Sequence, residues 1–94
     1  MAYTQTIPYN GMPITECALR ARNAIARLGW GNPIENPGHF FISIPISFCS
    51  WGESFTIRFY QDHMVIESRN VMPIQLDLGK NKTNVERFLR EFYS

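Results

Sequence analysis

An apolar stripe between residues 14 and 28 predicts the first helix. Its members recur at spacings of three and four residues, which places them on one helical face. They are Ile14, Cys17, Ala18, Ala21, Ala24, Ile25 and Leu28. Thr15 is the expected N-cap, and Gly29 is expected to end the helix because glycine readily adopts the left-handed conformation. Trp30 should then pack back onto the last turn.

Strict alternation of apolar and polar side chains predicts the strands. Residues 39–47 and 54–60 are the clearest cases, because every second side chain is apolar. Their apolar face holds Phe40, Ile42, Ile44, Ile46, Phe55, Ile57 and Phe59. Further strands are predicted at residues 3–9, 30–36 and 64–69, and a short last strand at residues 74–78.

A second apolar stripe predicts a helix near the C-terminus. Asn81 or Thr83 is its expected N-cap, just after Gly79. The stripe consists of Val85, Phe88, Leu89 and Phe92.

These elements predict a single α+β domain over residues 1–94 in the order β-α-β-β-β-β(-β)-α. Short turns between consecutive strands favour an antiparallel sheet of four to six strands. Both helices are expected on one face, because the strands present only one apolar face to cover. Pro45 has no N–H for a ladder, so its strand is expected at an edge or with a bulge.

Composition limits the classes of function. Nine Lys and Arg against eight Asp and Glu leave a formal net charge of +1, which argues against nucleic-acid binding. Two cysteines, Cys17 and Cys49, are too few for a disulfide scaffold. The sequence shows no signal-peptide pattern and no apolar run of the ~20 residues that a membrane span needs. We therefore expect a soluble cytoplasmic protein.

The segment Gly79, Lys80 and Asn81 is partly similar to a phosphate-binding loop. That loop needs a glycine where this chain has Ile74, and a Ser or Thr where it has Asn81. A structural turn into the last helix is the preferred interpretation. A weak anion site at the helix N-terminus is the alternative.

No catalytic or metal site is predicted, and no cofactor. The two histidines, His39 and His63, lack further ligands at metal-binding spacing. Cys49 with His39 would need a third group to orient the base, and the sequence offers none. An enzyme centred on Cys49 or Lys80 is therefore the least favoured hypothesis.

Alternation leaves the second face of the sheet open, and this face is the candidate interaction surface. Apolar and polar side chains are mixed on it, as in protein contact surfaces. Its residues are Phe41, Thr56, Arg58, Tyr60 and Val65. A candidate pocket between helices and sheet is expected near Trp30, Trp51 and Phe88.

Three segments resemble a family of uncharacterised small bacterial α+β domains. The resemblance rests on a Trp-Gly-Glu turn at residues 51–53, a Ser-containing strand at 66–68 and a Gly-Lys-Asn segment at 79–81 before the last helix. It covers roughly residues 14–92 and implies a fold without an activity. The order of elements is also similar to one half of a TATA-binding-protein-like domain, as an analogy of topology.

The leading functional hypothesis is a non-enzymatic binding or interaction module that uses the open sheet face. A protein partner or self-association would both suit that face. The alternative is a small-ligand-binding domain with a pocket between helices and sheet.

Overall fold

A computed structural model describes residues 2–45, 52–71 and 79–94. Its elements are β1 Ala2–Pro8, α1 Ile14–Leu28, β2 Ile34–Asn36, β3 His39–Ile44, β4 Glu53–Phe59, β5 His63–Asn70 and α2 Lys80–Phe92. The strands form one antiparallel sheet in the order β1-β5-β4-β3-β2. The predicted α+β class and order of elements are confirmed. The strand predicted at residues 74–78 lies outside the described residues.

The core lies between one face of the sheet and both helices. Most inward residues of the central strands are buried, and so are most residues of the two helical stripes, although Ile14 at the start of α1 is 43% exposed. The two helices contact each other. The sheet contributes Phe40, Ile42, Ile44, Phe55, Ile57, Met64 and Ile66, and the helices contribute Cys17, Ala21, Ala24, Ile25, Val85, Phe88 and Phe92. The expectation that both helices cover one sheet face is confirmed.

Phe55 links the two layers through ring contacts on both sides. Its ring centroid lies 4.9 Å from that of Trp30, which follows α1, and 5.2 Å from that of Phe88 on α2. Phe88 in turn lies 5.8 Å from Phe92. Tilted aromatic pairs at these distances are favourable beyond the area they bury.

The C-terminal end of α1 follows the prediction, whereas its beginning differs. Gly29 is left-handed, with φ of 72°, and the Trp30 amide donates to the carbonyl of Ile25 at 3.3 Å. Pro13, not Thr15, is the residue before the first turn, and its carbonyl accepts the first helical bonds. The prediction that Thr15 caps the helix is therefore wrong. The helix starts after Pro13, whose extended backbone conformation leads into the first turn without a side-chain cap.

β3 lies between β4 and β2, but β2 pairs only with its residues 39–41. Among the described strands, residues 42–44 pair with β4 alone, and Pro45 follows them, so this end of β3 is at an edge as Pro45 predicted. The predicted cap of the last helix is wrong. α2 begins at Lys80 after a left-handed Gly79, with no side-chain cap. Asn81 and Thr83 are therefore inside the first turn and cap nothing.

The order of strands places β1 and β2 at opposite edges of the sheet. α1 connects them and therefore crosses the whole covered face. At the β2 edge, Arg22 of α1 donates two hydrogen bonds of 2.8 Å to the Glu35 carboxylate, which lowers the pKa of Glu35. The Arg22 guanidinium also lies 5.2 Å from the Phe40 ring centre. Of the helices in the described ranges, none is long and apolar enough to span a membrane.

The burial of Phe88 predicts a large loss of stability on truncation. Phe88→Ala should lower the free energy of unfolding by about 3–5 kcal/mol, because it leaves a cavity between α2 and Phe55. Denaturant titration measures this loss, and Glu86→Ala, on the exposed side of the same helix, is the matched control. A loss below about 1 kcal/mol would contradict the docking of α2 described above.

Candidate interaction surface and neighbouring sites

The five predicted interaction residues lie on the sheet face away from the helices. In the register, Phe41 is opposite Thr56, and Arg58 is opposite Val65. Each of these four residues is next to a buried residue on its strand, so its own side chain is on the opposite, outward face. Tyr60 follows β4 and is 46% exposed, with its ring stacked on that of His63 at 4.9 Å.

A groove of about 520 Å³ lies on this face, where β3 begins and β4 ends. Four of the five predicted residues line it, together with His39 and the Pro37-Gly38 turn. Those four are Phe41, Thr56, Arg58 and Tyr60. Val65 does not line the groove and lies beside it, opposite Arg58. We call this groove the outer groove.

Ile34 is an outer-face residue that the sequence analysis missed. It pairs with Phe41 across β2 and β3 and is 61% exposed. Folding residues 30–36 back on the next strand around the Asn36-Pro37-Gly38 turn would have placed it there. Ile34 extends the apolar area beside the outer groove toward the β2 edge.

The charges on the outer face leave one guanidinium weakly paired. Glu67 accepts a hydrogen bond of 2.8 Å from Arg69, while its distance to Arg58 is 3.8 Å. Two arginines therefore share one carboxylate, so this part of the face carries a net positive charge. The Arg58 side chain is 45% exposed and borders the outer groove, where an anionic group of a partner can reach it.

The hairpin end of β4 and β5 carries a second polar pair. His63 Nδ1 lies 2.6 Å from Asp62 Oδ1, and this hydrogen bond lowers the pKa of Asp62. Within the described ranges no group of three or more His, Cys, Asp or Glu could hold a metal ion. Cys49 lies outside those ranges.

The residues of the predicted pocket lie beside the core ring of Phe55 or outside the described residues. Trp30 and Phe88 both pack on Phe55, and Trp51 lies outside the described residues. A cavity of about 430 Å³ between helices and sheet lies elsewhere, where β1 leads into α1. We call it the Tyr9 pocket.

The Tyr9 pocket is lined by apolar residues together with the titratable side chains of Tyr9, Glu16, Cys17 and Tyr93. Ile7, Met12 and Phe92 contribute apolar walls, beside Tyr9 and Cys17. The Tyr9 hydroxyl donates to the carbonyl of Tyr60 at 2.8 Å. Burial raises the pKa of both Tyr9 and Cys17, so the thiol stays protonated and poorly nucleophilic near neutral pH.

In the segment Gly79, Lys80 and Asn81, the asparagine side chain points into the protein. Asn81 is fully buried: its Oδ1 accepts from the Ser68 hydroxyl at 2.9 Å, and its Nδ2 donates to Asn70 Oδ1 at 2.6 Å. The side-chain amide of Asn81 thus binds β5 and does not point out of the helix N-terminus toward an anion.

Asn81 belongs to a buried polar cluster that the sequence analysis did not predict. Asn84 Nδ2 donates to Glu53 Oε1 at 3.0 Å and to the Ser68 hydroxyl at 3.1 Å. Glu53, Ser68, Asn81 and Asn84 are all buried. Asn84 Oδ1 has no hydrogen-bond partner among the described residues. The cluster fixes α2 to β4 and β5 by directed bonds in an otherwise apolar layer.

The segments that carry the sequence resemblance meet at this cluster. Glu53 closes the Trp-Gly-Glu turn, Ser68 belongs to the Ser-containing strand, and Asn81 ends the Gly-Lys-Asn segment. Two weak signals pointed here: Ser68 occupies an inward position of its strand, and Asn81 and Asn84 are three residues apart on one helical face. No protein-family model, curated protein or solved structure matches the chain.

The role of Asn81 predicts a distinctive pattern of stability changes. Asn81→Ala should cost about 1–3 kcal/mol, because Ser68 and Asn70 each lose a hydrogen bond to a buried partner. Asn81→Asp should cost a similar amount, because it keeps the acceptor for Ser68 but replaces the donor to Asn70 Oδ1 with a buried negative charge. Asp is as good an N-cap as Asn, so a capping role would leave Asn81→Asp near the wild-type stability. Thr83→Ala, exposed in the same turn, is the control. Denaturant titration at neutral pH distinguishes the two roles.

Proposed function

We propose that this chain is a non-enzymatic binding module that captures a protein partner in the outer groove. The observation that carries the proposal is the composition of the groove, where the exposed Tyr60 and the half-buried Phe41 border the weakly paired Arg58. Tyr and Arg are the residues that most often dominate binding energy at protein interfaces. We also propose that the protein works in the cytoplasm, where a free thiol such as that of Cys17 stays reduced.

The chemistry of the outer groove indicates what the partner supplies. Phe41 and Tyr60 offer an apolar surface, to which an aliphatic or aromatic side chain can bind. Arg58 keeps donors for a carboxylate, because Glu67 is held more closely by Arg69. We therefore propose an extended segment that carries an apolar residue next to Asp or Glu.

Selection from a displayed random-peptide library tests this proposal. Binders should be enriched in an apolar residue adjacent to Asp or Glu, with a Kd on the order of micromolar. Tyr60→Glu and Arg58→Glu should each weaken a selected peptide at least about tenfold, because they remove the apolar contact or reverse the charge.

Leu19→Glu is the matched control for Tyr60→Glu. Leu19 is 53% exposed, close to the 46% of Tyr60, but it lies on α1 on the other side of the molecule. Its substitution should leave peptide binding unchanged. Peptides without acidic residues, or equal binding by the Tyr60→Glu variant, would contradict the proposal.

The Tyr9 pocket favours a second candidate function, the binding of a small ligand. Its volume of about 430 Å³ falls within the range of small-molecule sites, and its lining combines apolar side chains with the polar groups of Tyr9, Asn10 and Glu16. A fragment screen by NMR tests this function, with the methyl groups of Ile7, Met12 and Met64 as reporters. Fragments that bind the Tyr9 pocket should shift these signals and leave those of Ile34 unchanged. Shifts only at residues outside the pocket would contradict this second function.

A further inference from the structure

The two edges of the sheet differ in how they are protected. β2 is only three residues long, is flanked by Pro33 and Pro37, and has Glu35 bound to Arg22. Short length, prolines and charges are the usual means by which proteins prevent strand addition at an edge. β1 is seven residues long and has no charged side chain, and its single proline is its last residue.

The backbone of β1 presents hydrogen-bonding groups at its outer edge, where the described residues place no further strand. Tyr9, which follows Pro8 in the same register, donates its amide to the Asp62 carbonyl of the neighbouring hairpin at 3.2 Å. Backbone groups alternate sides along a strand, so the odd-numbered residues face β5 and the even-numbered ones face outward. The N–H and C=O groups of Ala2, Thr4 and Thr6 therefore point away from the sheet.

The position of Pro8 agrees with this alternation of inward-facing and outward-facing backbone groups. The N–H that proline lacks would fall on the open side, which is where prolines in strands are found. The ladder with β5 consequently loses no bond at Pro8, although its register continues to His63.

We propose that β1 pairs antiparallel with β1 of a second copy of this chain, which joins two sheets into one of ten strands. A two-fold axis beside Gln5 would set Thr4 opposite Thr6 of the second copy. These are outward-facing residues, so their backbone groups can exchange both hydrogen bonds. The interface is isologous, as most dimer interfaces are.

The sequence of β1 suits a second copy better than a foreign strand. Two-fold pairing sets every residue against a residue of the same strand, so any charge would risk like-charge repulsion, and β1 carries none. Thr-Thr pairs across antiparallel strands are favourable. Tyr3 would meet Ile7 on the covered face, which continues the apolar layer from one copy to the next. By contrast, β1 offers no charge that would select a foreign sequence.

Solution mass as a function of concentration tests the proposal. Between about 1 µM and about 1 mM, sedimentation should show the mass rising from one chain to two. The double substitution Thr4→Lys with Thr6→Lys sets like charges against each other across the axis. It should raise the dissociation constant at least about 100-fold, while circular dichroism and thermal unfolding show an intact fold.

A matched control and a second variant keep the test specific. Ser43→Lys adds charge to the same sheet face on β3, away from β1, and should leave dimerisation unchanged. Thr4→Pro removes an outward N–H without removing a bond to β5 and should also weaken the dimer. A chain that stays monomeric throughout, or a double-lysine variant that dimerises like the wild type, would overturn the proposal. Loss of the dimer in Tyr60→Glu, with the double-lysine variant unaffected, would assign the interface to the outer groove instead.

Discussion

The ring of Phe55 connects the layers of this fold. It lies on β4, the central strand of the sheet, between Trp30 at the end of α1 and Phe88 in the middle of α2. Both helices are therefore held on one face, and the opposite face is left without a covering layer. The outer groove, the charge shared by Arg58 and Arg69, and the exposure of Ile34 all exist because the helices do not divide between the faces.

Alternation and helical periodicity were sufficient to predict the layers, because burial on one face repeats every second residue in a strand and every third or fourth in a helix. Caps were predicted less well. Thr15 and Asn81 are good capping residues, but Pro13 and Gly79 set the starts of the helices through their backbone conformations. The capping preference of Thr15 and Asn81 therefore did not decide where the helices begin; the backbone conformation of the preceding residue did.

The polar cluster could not be predicted from local patterns, since it depends on which segments meet in space. Asn84 is 31 residues from Glu53 in the sequence and 16 from Ser68. Each residue alone looks like a surface or turn residue.

The pairing of β1 with β5 has a consequence for the order in which the chain folds. β2 to β5 follow one another through short connections, so their contacts are local in sequence. β1 must instead find a partner about sixty residues away, as in the pair of Ala2 with Arg69, which closes a long loop at an entropic cost. We expect the four-stranded meander to form before β1 joins it. Until β1 docks, β5 is itself an open edge, so a molecule arrested at this stage would expose a strand that the native protein covers.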